Sequence, residues 1–516
     1  MEPSNTKKTT ALRPRDFASA QVSAGPASLR ATPLGLLLGL VGLCSLLGAA
    51  PALASTVSAG AVPDLTTSLY GVLAILIFVL AYIFVIGEEF FLLRKSKPMI
   101  AAAGLIWLLT GVAYAVHGDT ETAGPALQHN ILEYAEMFLF LLAAMTFVTT
   151  LEERQVFGAL RTWLIVRQFS LRQVYWITGA LAFALSPVAD NLSTALLMGA
   201  VVLAVGNGNR QFVTVGSINI VIAANAGGAF SPFGDITTLM VWQEGLVPFN
   251  EFGRLFLPSL VNWLVPALLM YRVVEQAPPA SDQNGHTYMR RGALPIIGIF
   301  LCTIISSVLI NSRLHLSPAL GMMTGLGILK LYGYWLARRE PALRDAGHLS
   351  QHQAENIASM EPSQGDHTDV VRRFDIFHVV ERASWDTLMF FYGVVLAVGG
   401  LAQLGYLSLA SEHVYGTLGP TLANIAVGVL SAVIDNIPVM LAVLRMAPDM
   451  DLAQWLLVTL TAGVGGSLLS IGSAAGIALM GQAHGVYTFM SHLRWCWAIA
   501  LGYGLSVLCH LWISGI

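Results

Sequence analysis

Ser186-Pro187-Val188-Ala189-Asp190-Asn191-Leu192-Ser193-Thr194 cuts an otherwise apolar block, residues 174–206, with a proline, an acid and an amide. Ile434-Asp435-Asn436-Ile437-Pro438 repeats the pattern, with the two aspartates 245 positions apart. Non-helical backbone at bilayer depth is tolerated only where it is buried in protein or lines a wet cavity. Each block therefore reads as a re-entrant hairpin with the Asp-Asn pair at its tip. Basic residues support this. If 174–206 crossed the membrane, every later basic loop would face outside, including Arg272, Arg290, Arg291, Arg338, Arg339, Arg372 and Arg373. A hairpin keeps them on the cytoplasmic side, as the positive-inside rule requires.

The composition agrees with a membrane setting. Of 516 residues, 27 are Lys or Arg and 30 are Asp or Glu, 11% in all; soluble domains carry about 25%. Seven of these charges fall in residues 1–31 and fourteen in 338–382, so the rest of the chain is poorer still. With 55% apolar residues and a mean hydropathy of +0.67, the chain is an all-α polytopic membrane protein of roughly a dozen spans. A net charge of −3 gives no reason to expect nucleic acid. Cys44, Cys302, Cys496 and Cys509 lie in apolar segments without metal-type spacing. No His-Glu-x-x-His or Gly-x-Ser-x-Gly motif points to an intramembrane enzyme.

Residues 1–54 run from basic to apolar to the small-x-small triplet Ala52-Leu53-Ala54, the order of a cleaved signal peptide. A retained first helix and a plastid transit sequence are the competing readings. Spans follow at 69–93, closed by the cytoplasmic run Arg94-Lys95-Ser96-Lys97, and at 98–117 and 130–151. An interrupted span at 212–245 and one at 254–274 complete a first repeat, 69–274. After a short connector, 275–293, the second repeat (294–513) has spans at 294–311, 315–336 and 385–409. The hairpin 420–447, an interrupted span 452–480 and a last span 492–513 follow. The polar stretch 338–382 reads as a cytoplasmic linker, and its histidines as solvated loop residues.

A second motif pair supports an internal repeat. Gly227-Gly228-Ala229-Phe230-Ser231-Pro232-Phe233-Gly234-Asp235 is matched by Gly465-Gly466-Ser467-Leu468-Leu469-Ser470-Ile471-Gly472-Ser473. The double glycines are 238 apart, with a one-residue offset later in the match. Upstream, the run from Glu136 to Phe140 resembles that from Asp386 to Phe390. Five crossings and one hairpin per half would invert the second half relative to the first. Inverted repeats with broken helices meeting near the midplane are the architecture of secondary transporters.

The four breaks are rich in hard oxygen donors. Asp190 and Asp435 are acids at membrane depth, which are functional candidates by default; for Asn191 and Asn436, helix capping is an equal alternative. Ser193, Thr194 and Asn225 stand in the same breaks. Asp235, Thr237 and Thr238 add a third carboxylate and two hydroxyls, while the other half offers Ser470 and Ser473 but no acid. Gly227, Gly228, Gly234, Gly465, Gly466 and Gly472 let backbone turn toward a cavity. No Lys or Arg falls within any break, so an anion would be repelled. Carboxylate, carbonyl and hydroxyl oxygens suit a small hard cation or protons, placing Na⁺ at Asp190, Asp435 and Asp235. A carboxylate that holds either ion, but not both, couples the two fluxes. Glu133, Glu136 and Asp386 are secondary candidates for a proton path, and His129 faces the external loop.

In these motifs the chain resembles the NhaD-type sodium/proton antiporters of the ion transporter superfamily, over about residues 69–513. The resemblance implies exchange of cytoplasmic Na⁺ or Li⁺ for external H⁺, in salt and pH homeostasis. It also implies a homodimer with a scaffold part and a mobile part in the bacterial inner membrane, with no cofactor beyond the transported ions. Carried over by position, Asp190, Asn191, Asp435, Asn436 and Asp235 handle the ions. The superfamily also includes Na⁺-coupled dicarboxylate and citrate carriers and arsenite exporters, the alternative reading. The dicarboxylate branch shows Ser-Asn-Thr at its hairpin tips, where this chain has Asp-Asn-Leu-Ser and Asp-Asn-Ile-Pro.

Overall fold

The computed structural model describes residues 64–91, 93–167, 169–206, 209–276, 288–339, 385–483 and 485–516. The targeting segment 1–54, most of the connector 275–293 and nearly all of the linker 338–382 lie outside the described residues. Among the described residues all regular structure is helical, because an amide in hydrocarbon must find its partner within its own segment. The first half runs α1 (Leu69–Ile86), α2 (Ser96–Val116), α3 (Ala123–Glu153), α4 (Val156–Val166) and α5 (Leu171–Ala189). It continues with α6 (Asn191–Val205), α7 (Arg210–Gly228), α8 (Ile236–Gln243) and α9 (Phe256–Tyr271). The second half holds α10 (Ala293–Leu314), α11 (Pro318–Arg339), α12 (Trp385–Gln403) and α13 (Tyr406–Leu430). It ends with α14 (Asn436–Met446), α15 (Leu452–Gly465), α16 (Ala474–Gln482) and α17 (Cys496–Ser514).

Among the described residues, seven helices are long and apolar enough to cross a bilayer: α1, α2, α3, α9 with its leading 3₁₀ turn, α10, α12 and α17. The 18 residues of α1 rise about 27 Å, close to the thickness of the hydrocarbon core. Leu69, Leu76, Leu80 and Ile83 of that helix are exposed, as lipid-facing side chains should be. The span expected at 315–336 is helical as α11 but falls outside these seven. By contrast, α6, α14 and α15 are apolar yet only 15, 11 and 14 residues long. Eleven residues rise only about 16 Å, half of a bilayer.

The breaks that shorten them follow from the quoted motifs. At Asp190 the backbone reaches φ 57°, ψ 160°, a region that costs a non-glycine residue on the order of 1–3 kcal/mol. Its side chain then caps α6. Between α7 and α8 the chain turns so tightly that a Cβ on Gly228 would lie 2.7 Å from the Gly234 carbonyl oxygen. Between α15 and α16 the same construction at Gly466 would lie 2.6 Å from the Gly472 oxygen. The N-caps that follow, Asp235 (φ −144°, ψ 147°) and Ser473 (φ −141°, ψ 145°), share one conformation. Ser186 donates to the Ala224 carbonyl at 2.6 Å, and Ser431 to that of Ala462 at 2.8 Å. The serine donors are 245 apart and the glycine, N-cap and acceptor pairs 238 apart, so these turns show no one-residue offset.

Packing repeats the same correspondence. α1 lies on α2 as α10 lies on α11, α2 on α12 as α11 on α3, and α5 on α7 as α13 on α15. α6 packs against α16 and α14 against α8, so the short helix after each break meets the hairpin of the other half. Three expectations need correction. The 11-residue α4 was not foreseen, because its apolar residues are too few to read as a span. The third span of the second half ends at Gln403, not 409, and α13 begins at Tyr406 before bending at Gly419 (φ 72°). Lys95, read from its charge only as a marker of the cytoplasmic side, reaches Asp435.

Candidate functional site

Asp235 stands where three of the breaks meet. As N-cap of α8 it accepts from the Thr237 amide at 3.3 Å. Its Oδ2 accepts from Asn436 Nδ2 at 2.9 Å, from the tip of the second hairpin. The same oxygen faces Asn191 Nδ2 at 3.4 Å, from the first hairpin. A carboxylate accepts only, so both amides must turn their NH₂ ends toward it. Asn191 also donates to Asn225 Oδ1 at 3.2 Å, and Asn225 donates to Ser467 Oγ at 2.8 Å. The network thus draws one residue or more from each of the four breaks. Asp235 is 5% exposed and has no basic partner among the described residues. The Thr237 hydroxyl is buried beside it without a well-formed hydrogen bond.

The other two aspartates stand apart from this hub. Asp190 spends both oxygens on its own cap, accepting from the Ser193 amide and hydroxyl at 2.8 Å each. Thr194, next along, has a buried hydroxyl with no partner. Asp435 makes no cap bond; its Oδ2 lies 3.2 Å from Lys95 Nζ, and its Oδ1 is buried without a partner among the described residues. The hairpin tips are therefore alike in sequence and different in electrostatics.

Of the remaining candidates, Thr238 donates to the carbonyls of Ser231 and Asp235 at 2.8 and 2.6 Å, which ties it to the turn. Ser473 caps α16 through the Gly476 amide at 3.2 Å. Ser470 is buried beside the Tyr487 hydroxyl. Glu133 is held by Arg445 of α14, which also donates to Asn130 Oδ1 at 2.7 Å, and Glu244 lies next to it. Glu136 is half-buried on α3 with no partner among the described residues. Asp386 accepts from the Ser96 hydroxyl.

Sequence reasoning did not single out Lys95, Arg445 or His492. His492, 1% exposed, contacts the Ser467 carbonyl through Nε2 at 3.0 Å and the Tyr487 hydroxyl through Nδ1 at 2.8 Å. A carbonyl cannot donate, so Nε2 carries the proton and Nδ1 accepts from the tyrosine. That pins the break of α15 from behind. Only the topology, which returns the C-terminal helices to this point, could have revealed it.

Comparison with known proteins places the chain in a family. A family model described as Citrate transporter matches residues 82–330 and 357–463. The Na(+)/H(+) antiporter NhaD of Alkalimonas amylolytica is 53% identical over 92% of this chain and 96% of its own length. The chain belongs to the NhaD family of Na⁺/H⁺ antiporters. The NhaD protein of Vibrio cholerae serotype O1 is likewise 53% identical, over 92% of this chain and 98% of its own. Sodium/proton antiporter 1 of Arabidopsis thaliana is 30% identical over 79% of this chain and 66% of that protein.

Proposed function

We propose that this protein exchanges Na⁺ or Li⁺ for H⁺ across the membrane, by competition of cation and proton for intramembrane carboxylates. The observation that carries the reading is Asp235, a buried acid fed by an amide from each hairpin and lacking a basic partner among the described residues. An unpaired carboxylate at depth is costly, so the site favours whatever neutralises it. Thr237 Oγ1, Asn225 Oδ1 and Ser467 Oγ are oxygens of the kind a small hard cation takes, and Asn191 and Asn436 would add theirs by turning their amides over when a cation replaces their hydrogen bonds to Asp235. Proton and cation then exclude one another by charge.

The two halves act, in this reading, as inverted repeats whose hairpins enter from opposite sides. The support is the reciprocal packing of α6 on α16 and α14 on α8, with Asp235 between their tips. A homodimer with a fixed scaffold and a mobile part belongs to the same proposal, as does residence in a bacterial inner membrane. The NhaD relatives that cover nine-tenths of the chain are bacterial, which leaves the plastid reading without support. A citrate or dicarboxylate carrier is the weaker alternative, since no cationic side chain touches Asp235 among the described residues.

The test is reconstitution in acid-loaded liposomes, following internal pH after external Na⁺, Li⁺, K⁺ or a dicarboxylate is added. Saturable alkalinisation by Na⁺ or Li⁺, lost in Asp235→Asn, is expected. Uptake of labelled dicarboxylate with no proton response to cations would overturn the reading.

A further inference from the structure

The Lys95–Asp435 pair breaks the likeness of the two hairpins. Lys95 comes from the N-cap position of α2, outside all four breaks. Both side chains are well buried, at 15% and 10% exposure. The ammonium touches one carboxylate oxygen only, leaving Oδ1 buried and without a hydrogen-bond partner among the described residues. It also stands 4.5 Å above the Phe390 ring. The Tyr82 hydroxyl, buried near Asp435, has no hydrogen-bond partner among the described residues either. Asp386, the acid in the first turn of α12, accepts instead from the Ser96 hydroxyl. At the matching position of the first hairpin, Asp190 is satisfied by Ser193 and needs no cation.

We propose that Lys95 is a tethered cation that holds Asp435 in the empty carrier and must be displaced when the transported cation arrives. The proposal rests on the antiport reading above and gives that reading a specificity-determining residue. Two positive charges on one buried carboxylate repel strongly where the dielectric is low, so Lys95 and a metal cation exclude each other. The side-chain chemistry suits a reversible contact. Lysine is a point charge on a flexible stem, whereas arginine would grip both oxygens in a fork. The Phe390 face gives the ammonium a second resting place. With Asp435 neutralised by the protein itself, the empty carrier carries no bare acid at that tip. The cost is a weaker apparent affinity, because only the fraction of carriers with Lys95 withdrawn can bind.

The experiment compares equilibrium binding of radioactive Na⁺ and Na⁺-driven proton flux in wild type, Lys95→Gln and Lys95→Arg. If the lysine-free state is about a tenth of the population, Lys95→Gln should bind Na⁺ about tenfold more tightly. Its maximal flux should fall, separating KM from kcat, and Lys95→Arg should bind more weakly than wild type. Unchanged or weaker Na⁺ affinity in Lys95→Gln would overturn the proposal. A second measurement needs no substitution at 95. A small amine-selective reagent should label Lys95 of the wild type several-fold faster in Na⁺ than in choline, and Asp435→Asn should make labelling fast in both. Labelling indifferent to Na⁺ would also overturn it. A wild type without saturable Na⁺ binding or cation-driven flux defeats the antiport reading, and this inference with it. An active wild type with the wrong variant pattern defeats the inference alone.

Discussion

Gly472→Ala should damage the second half's break and, through it, the proposed ion site. A methyl at this position would lie 2.5 Å from the Ser431 oxygen and 2.6 Å from that of Ala432, where ordinary contact begins near 3.4 Å. Both obstacles are backbone, so no side chain can rotate away, and the turn must retreat by on the order of 1 Å. That turn is the segment from Ser431 to Asp435 that delivers Asn436 to Asp235. It is also fixed from the other side by the Ser431 hydrogen bond to Ala462. Overpacking of this kind costs about 1–3 kcal/mol, and the displaced amide opens the 2.9 Å contact with Asp235. Gly104→Ala is the control: its methyl meets nothing within 4 Å in the middle of α2, and helix propensity alone favours it by up to ~1 kcal/mol. The thermal midpoint in detergent and the proton flux in liposomes should both drop for Gly472→Ala and hold or rise for Gly104→Ala. Equal behaviour of the two variants in both assays would refute the argument from close approach.

Asn436→Ala should cost more than Asn191→Ala, since its contact with Asp235 is 2.9 rather than 3.4 Å; a hydrogen bond to a charged group is worth ~1.5–3 kcal/mol, and thermal unfolding of both variants tests the order. At the α3–α14 contact, Arg445→Gln should destabilise more than Glu133→Gln, because it leaves Glu133 facing Glu244. A double-mutant cycle should give a coupling on the order of 1–3 kcal/mol, and additivity would contradict it. In the exposed loop before α3, hydrogen bonds from Thr122 and the Glu121 amide hold the Asp119 carboxyl below the usual range. A depressed carboxyl stabilises the loop above its unfolded pKa of about 4 and loses that as pH falls through the folded value. Protection of the Thr122 amide, measured against its intrinsic exchange rate at each pH, should therefore fall in acid in the wild type and show no such step in Asp119→Ala.

Much of the fold was legible because bilayer physics leaves few options. Low charge and long apolar runs give spans, and Asp-Asn, Gly-Gly and Pro residues at fixed offsets mark the breaks. Asp190, Asp235 and Ser473 all cap helices as their types predict. What the sequence could not separate was a charge used for topology from a charge used at depth. Lys95 sits among Arg94 and Lys97, where the positive-inside rule explains it completely, and only the packing of α2 on α12 places its ammonium beside Asp435. Short amphipathic pieces such as α4 were lost for another reason: they carry too few apolar residues to register in a window sized for a span. Arg445 was lost because it closes a helix that had been read only for its first turn.

The asymmetry of the site is easier to understand once backbone and charge are considered separately. The halves share their turns closely, down to the paired dihedrals of Asp235 and Ser473 and the paired serine bonds at Ser186 and Ser431. Were their charges shared as well, two equivalent carboxylates would face each other across the centre and repel. Replacing one by Ser473 leaves Asp235 as the single acid that both hairpins reach through Asn191 and Asn436. The hairpin acids are then retired from the centre by different means, Asp190 by its own cap and Asp435 by Lys95. Of those two, a local hydrogen bond to Ser193 persists whatever ion is present, while an ion pair with a distant lysine can be exchanged for another cation. Cation dependence should therefore concentrate on Asp235 and Asp435, with Asp190 governing the shape of the first tip.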